Sequence, residues 1–198
     1  LLRVKAVTTA SMGRIIGDSI YTLSKPIKAS LDVSNGIAYF RRNEHPLSKA
    51  FIVSGVGDGE SAFWNNAEDV GEILQDEMYT VSSARGQNII NAGHTIHETL
   101  QNACNGLSVL YYRDHGGTHC WCGGGVITAS SESDKVEFAD DFDFGDYRPF
   151  IFACCCQSGN FSGIYGIANL FMEKAGAYLS ATEDSSRSAN NTYSQFFF

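Results

Sequence analysis

Two residues of this chain stand where reactive side chains commonly gather: His115 in Arg113-Asp114-His115-Gly116-Gly117 and Cys156 in Cys156-Gln157-Ser158-Gly159-Asn160-Phe161. Each ends an apolar run, Leu107-Ser108-Val109-Leu110-Tyr111-Tyr112 in the first case and Pro149-Phe150-Ile151-Phe152-Ala153-Cys154-Cys155 in the second, and both runs read as buried strands. In open α/β sheets functional residues collect just past the carboxyl ends of strands, where loops present side chains without spoiling the core. A thiol needs a neighbouring imidazole to raise its thiolate fraction and to hand a proton to a leaving amine. A cysteine and a histidine on adjacent strand ends are therefore a minimal dyad for acyl transfer. Their order along the chain is immaterial, because geometry defines such a site. Glycines beside each residue let a substrate backbone come close, and the N–H groups of Gly116 and Cys156 are the expected oxyanion donors.

Other constellations carry less. His119, Cys120 and Cys122 offer three zinc ligands, but without a second Cys/His pair at finger-like spacing a Cys120–Cys122 pair or plain loop thiols are the better reading. Gly55-Val56-Gly57-Asp58-Gly59 follows an apolar run as a nucleotide loop would, yet Glu60 comes next and no Gly-Lys-[Ser/Thr] follows. It reads as a loop with sharp turns. The acidic run Asp140-Asp141-Phe142-Asp143-Phe144-Gly145-Asp146 is an exposed loop with clustered oxygen donors, but it lacks the Asp-x-Asp-x-Asp-Gly spacing of a calcium loop. Asp114 is read as a solvated loop acid, and an isolated Asp-His-Gly would be no more than a backbone-bonded loop histidine. The pairing with Cys156 is what gives His115 its weight.

The elements that must hold this pair alternate strand with helix, the pattern of an α/β domain with a mostly parallel sheet. Lys49-Ala50-Phe51-Ile52-Val53-Ser54 is a strand. Phe63, Ala67, Val70 and Leu74 then recur at helical spacing, with Ser61 or Asn65 as the expected cap. His94 to Cys104 is a second helix, with Ile96, Leu100 and Ala103 on one face and Asn105-Gly106 as its stop. A helix from Ile164 to Lys174, a strand over Gly176-Ala177-Tyr178-Leu179-Ser180-Ala181 and a polar Ser/Asn-rich stretch complete the reading.

Composition bounds the partners. With 198 residues and 43% hydrophobic content the chain is long enough for a single domain, 1–198, with a real core. A net charge of -8, from 22 acidic and 14 basic residues, leaves no broad cationic surface for nucleic acid or an anionic membrane. No window approaches the length of a membrane span, and Leu1-Leu2-Arg3-Val4-Lys5 begins a strand rather than a signal peptide. The apolar end at Phe196-Phe197-Phe198 leads us to expect a fragment of a longer protein. Of the six cysteines three are consecutive, and alternation along a strand turns neighbours to opposite faces, so they cannot share one metal or one disulfide framework.

The segments Asn105–Gly116, with Trp121 beyond the histidine, and Pro149–Phe161, with its Cys-x-x-Gly-[Asp/Asn]-Phe after an apolar run, resemble the catalytic strands of the gingipain-like cysteine peptidases. Met12-Gly13-Arg14-Ile15 is similar to that family's upstream Val-Gly-Arg strand end, and Gly176–Thr182 to its strand after the nucleophile helix. The resemblance implies a three-layer caspase-like sandwich and cysteine endopeptidase activity on polypeptide substrates, with no required cofactor and calcium at most as a structural ion. It identifies Cys156 as nucleophile and leaves Cys154 and Cys155 as small core residues. It further implies a secreted or cell-surface parent with a propeptide and additional domains. Family members carry a glutamate after the strand equivalent to 51–54, so Asp58 or Glu60 is the expected acid orienting His115. The arginine-specific members' pocket aspartate falls near Phe63 or Trp64, so a basic-residue preference does not carry over. The rival reading is a catalytically silent caspase-like module that binds peptides.

Overall fold

Strand β1 (Lys49–Ser54) is followed by helix α1 (Glu60–Asp76), whose inner face carries the predicted Phe63, Ala67, Val70 and Leu74 together with Asn66 and Gly71. The structure is a computed structural model that describes residues 49–57, 59–122, 127–128, 141–160 and 166–198, with residues 24, 27, 28 and 31. The expected N-terminal strand and the Met12–Ile15 segment lie outside the described residues. Neither Ser61 nor Asn65 caps α1. The chain enters it through Gly59 at φ 89°, a left-handed backbone that glycine adopts without strain, and the first-turn amides of Ala62 and Phe63 bond to the Gly59 carbonyl.

Two further elements escaped the apolar pattern. Strand β2 (Thr80–Arg85) is a largely exposed edge whose Thr-Val-Ser-Ser-Ala-Arg composition carries no apolar run, and it leads directly into the short helix α2 (Gly86–Asn91). Helix α3 (Ile96–Ala103) starts at a capping box in which Thr95 and Glu98 satisfy each other's backbone amides, and it buries Ile96 and Leu100. Strand β3 (Leu107–Arg113) is buried at every position. A small antiparallel sheet of β4 (Gly116–Gly117), β5 (Cys120–Trp121) and β6 (Ile127–Thr128) stands beyond its end. Then come β7 (Phe150–Cys154), α4 (Ile167–Met172), β8 (Ala177–Ser180) and α5 (Arg187–Phe197). The polar stretch near the C-terminus is thus a helix, started by Ser186, whose hydroxyl accepts the Ala189 N–H.

The main sheet runs β2-β1-β3-β7-β8, and every neighbouring pair in it is parallel. Alternation along the strands feeds two cores. Phe51, Val53, Leu110, Tyr112, Ile151 and Ala153 face Ile96, Leu100, Leu170 and Phe171 of α3 and α4. Ala50, Ile52, Val109, Tyr111, Phe152 and Cys154 face Ala67, Val70 and Leu74 of α1, with Phe198 packed at the margin. Each fully buried aliphatic side chain contributes roughly 1.5–3 kcal/mol of transfer free energy, so the central strands, buried on both sides, anchor the sandwich. The three-layer α/β architecture is the one expected. Cys154 and Cys155 fall in opposite cores as free buried thiols.

Candidate active site

The β3–β7 register pairs Arg113 with Cys154, the last ladder partners before both strands end. Counting on by two from each brings His115 and Cys156 to matching places beyond the sheet. The approach is close. A Cβ on Gly116 would lie 2.6 Å from the Cys156 carbonyl oxygen and 2.5 Å from Cys155 Sγ, so the backbone after the histidine rests directly on the turn at Cys156.

His115 is exposed at its ring and tied down at its backbone. Its N–H donates to Asp114 Oδ1 at 2.6 Å, and its carbonyl accepts from the Tyr112 hydroxyl at 3.0 Å and the Cys122 N–H at 3.1 Å. Because that last bond closes the ladder pair beside Gly116, the Gly116–Trp121 pairing is a non-hydrogen-bonded position and the Gly116 N–H turns away from β5. The Phe63 ring meets the imidazole edge-on, with centroids 5.2 Å apart at 88°.

Cys156 is half-buried, and its Sγ lies 3.5 Å from both the carbonyl oxygen and the amide of Ser185 in the loop between β8 and α5. Gln157, at φ 52°, turns the chain there and donates its N–H to the Glu183 carbonyl. The other thiols are disposed differently. Burial raises Cys104 and Cys154 above the ordinary thiol value and pushes Cys155 up to about 12. Cys155 is further held by Ser158 Oγ at 3.0 Å, which also accepts the Tyr178 hydroxyl. Cys120 and Cys122 form a disulfide, which displaces the zinc reading in favour of the pair.

Three acids differ in fate. Glu60 is engaged by Arg85 through two bonds of 2.6 and 2.7 Å, and this hydrogen-bonded guanidinium holds its carboxyl below the usual range. Its carboxylate is thus directed to Arg85. Asp58 lies outside the described residues. Asp114, read from sequence as solvated, is only 2% exposed: the close packing of Gly55 at the end of β1 covers it, and its Oδ2 has no hydrogen-bond partner. In the acidic run, Asp141 pairs with His97 at 2.7 Å, and Asp143 accepts the Gly145 N–H.

Burial raises the Asp114 carboxyl from its ordinary 3.8 to about 6. A carboxyl with a folded pKa above its unfolded one destabilises the fold in its charged form: the cost is absent below about pH 4 and complete above about pH 6. A shift of this size corresponds to about 3 kcal/mol. Asp114→Asn retains an acceptor for the His115 N–H and removes the charge. Between pH 4 and pH 7.5 the asparagine variant is therefore expected to gain about 2.4 kcal/mol on the wild type, whatever constant offset its own amide introduces. Urea unfolding of both proteins at the two pH values measures this, and parallel stability curves would refute it.

The sequence pattern gave Arg113, Ser185 and Arg187 no role, and marked Phe63 as a helix-face residue near the place of the family's pocket aspartate without its contact to His115. Arg113 is 1% exposed and spreads its donors over Asn66 Oδ1, Asn191 Oδ1, the Cys154 carbonyl and the Arg187 carbonyl.

The profile of peptidase family C25 matches residues 5–198. Among solved structures, the arginine-specific cysteine proteinase gingipain R is similar at a TM-score of 0.65 and 16% identity, over 93% of this chain and 44% of that one. A second protease structure is similar at a TM-score of 0.64 and 15% identity, over 92% of this chain and 38% of that one. The chain therefore spans less than half the length of these neighbours, and identities this low speak for the fold alone. No curated protein sequence matches.

Proposed function

Because the chain belongs to peptidase family C25, we propose that it is a cysteine endopeptidase in which Cys156 is the nucleophile and His115 its proton acceptor and donor. The imidazole takes the thiol proton as sulfur attacks the scissile carbonyl, and the Gly116 and Cys156 amides hold the oxyanion. Collapse gives the acyl-enzyme, with the proton passed to the departing amine, and water, deprotonated by the same imidazole, releases the acid and restores the thiol. The reaction so written needs no cofactor. The single observation that carries this reading is the seating of Gly116 against the Cys156 carbonyl, which brings the two loops to one point. Further support comes from amides left available: Gly116 sits at a non-hydrogen-bonded ladder position, and among the described residues the Cys156 N–H bonds to no carbonyl.

With Glu60 committed to Arg85, Asp58 carries the expectation of an acid behind the imidazole. Residues 1–198 are read as one catalytic core within a longer protein, acting on polypeptides after removal of a propeptide. Secretion or display at the cell surface belongs to the same reading, and the Cys120–Cys122 disulfide fits an oxidising compartment. Among the described residues no helix is long and apolar enough to cross a membrane.

The test is chemical mapping. A peptidyl acyloxymethyl ketone library offered to the full-length protein is expected to leave one adduct, on Cys156, with Cys104, Cys154 and Cys155 unmodified. An adduct on any of those three would overturn Cys156 as the nucleophile, and none on folded, propeptide-free protein would assign the chain to the silent peptide-binding class.

A further inference from the structure

Resting on the dyad reading above, we propose that this site recognises an acidic side chain on the acyl side of the cut, so that cleavage follows aspartate or glutamate. The Phe63 ring that meets His115 edge-on also lies under two guanidiniums, with Arg113 Cζ 4.5 Å and Arg187 Cζ 5.0 Å from its centroid. Arg113 is buried, and its hydrogen-bond acceptors are amide and carbonyl oxygens, with the neighbouring Asp114 carboxyl aimed at Gly55 instead. Arg187 is exposed, and among the described residues its guanidinium has no carboxylate or carbonyl acceptor.

Arg187 opens α5, where the positive end of the helix dipole disfavours a cation, so helix stability does not account for it. It is nonetheless held in position. Besides the Phe63 ring, it has a slot at Gly59, where a Cβ would fall 2.4 Å from Arg187 Nη2. Its neighbour Ser185 touches Cys156 Sγ, the atom to which the acyl group becomes bonded, so the side chain next to that carbonyl passes within reach of the Arg187 fork.

The local acids are engaged elsewhere than at Arg187: Glu60 bonds Arg85, Asp114 is turned to Gly55, and Asp184 accepts the Gln157 amide at 2.8 Å. In a chain of net charge -8, two guanidiniums meet on the Phe63 ring, and a bidentate guanidinium matches a carboxylate.

Acyloxymethyl ketones or fluorogenic peptides that differ only in the residue before the cut, given to the full-length protein, test this. Aspartate or glutamate is expected to react fastest. Arg187→Ala should lower kcat/KM for acidic substrates by about 30-fold or more, the scale of a lost hydrogen bond to a charged group. Arg187→Glu should invert the order toward lysine and arginine. Labelling of Cys156 that ranks basic or apolar residues first, or an acidic preference that survives both variants, overturns the inference and leaves the dyad standing. A Cys156 that no probe labels overturns both.

Discussion

Cys156→Ala and His115→Ala are each expected to lower kcat by about 10⁴-fold or more on a good peptide substrate, and the double variant to be no worse than either. The non-additivity is the informative part. If the two side chains act as one unit, with sulfur useless without a proton acceptor and the acceptor useless without sulfur, removing the second costs nothing further. Neither change should unfold the protein. Cys156 is only half-buried, with weak sulfur contacts to Ser185, and the His115 ring is exposed while its backbone is fixed by groups that alanine leaves in place. Turnover and thermal melting measured on all four proteins check this. Losses that multiply in the double variant would mean the residues act separately. Cys155→Ala makes a useful contrast. It empties a position in the core beside Ser158 and is expected to lower the melting temperature and keep Cys156 reactive toward acyloxymethyl ketones.

The framework was legible where a segment buries both faces. Leu107–Tyr112 and Phe150–Cys154 announce themselves as continuous apolar runs because parallel central strands meet helices above and below, and the runs end just short of His115 and Cys156. Strand β2 was not legible, since an edge strand with exposed faces has no such requirement. Nor was α5, whose Asn, Ser and Thr residues favour loops by propensity. Packing overrode that: the buried Ser194 hydroxyl and Asn191 bond to Asn66 of α1, and Phe197 and Phe198 cover Phe150 and Phe152. Asp114 was misread for a related reason. A polar residue beside a loop histidine looks solvated until the end of β1 is brought over it, and that neighbour is remote in sequence. The Arg113–Asn191 and Arg113–Arg187 contacts join β3 to α5 across separations of 78 and 74 residues, so local pattern had no means of exposing the two guanidiniums on the Phe63 ring.

Gly116→Ala is expected to cost about 10²-fold in kcat/KM, a larger effect than its single methyl suggests. The added Cβ would meet the Cys156 carbonyl oxygen at 2.6 Å and Cys155 Sγ at 2.5 Å. Neither can rotate away: one belongs to the backbone of the turn at Cys156, and the other is a buried thiol held by Ser158. The loops must therefore separate by a fraction of an ångström to about 1 Å, and displacement on that scale is enough to spoil alignment between imidazole, sulfur and oxyanion donors. Strain in a packed region of this kind costs about 1–3 kcal/mol, so the variant should still fold at room temperature with a lowered melting point. The kinetic signature separates misalignment from lost binding: kcat should fall while KM stays within a few-fold, because the substrate side-chain contacts lie elsewhere. An alanine variant with wild-type kcat would mean that the histidine loop and the nucleophile turn need not touch for the reaction to proceed, and the juxtaposition at Gly116 would lose its place in the mechanism.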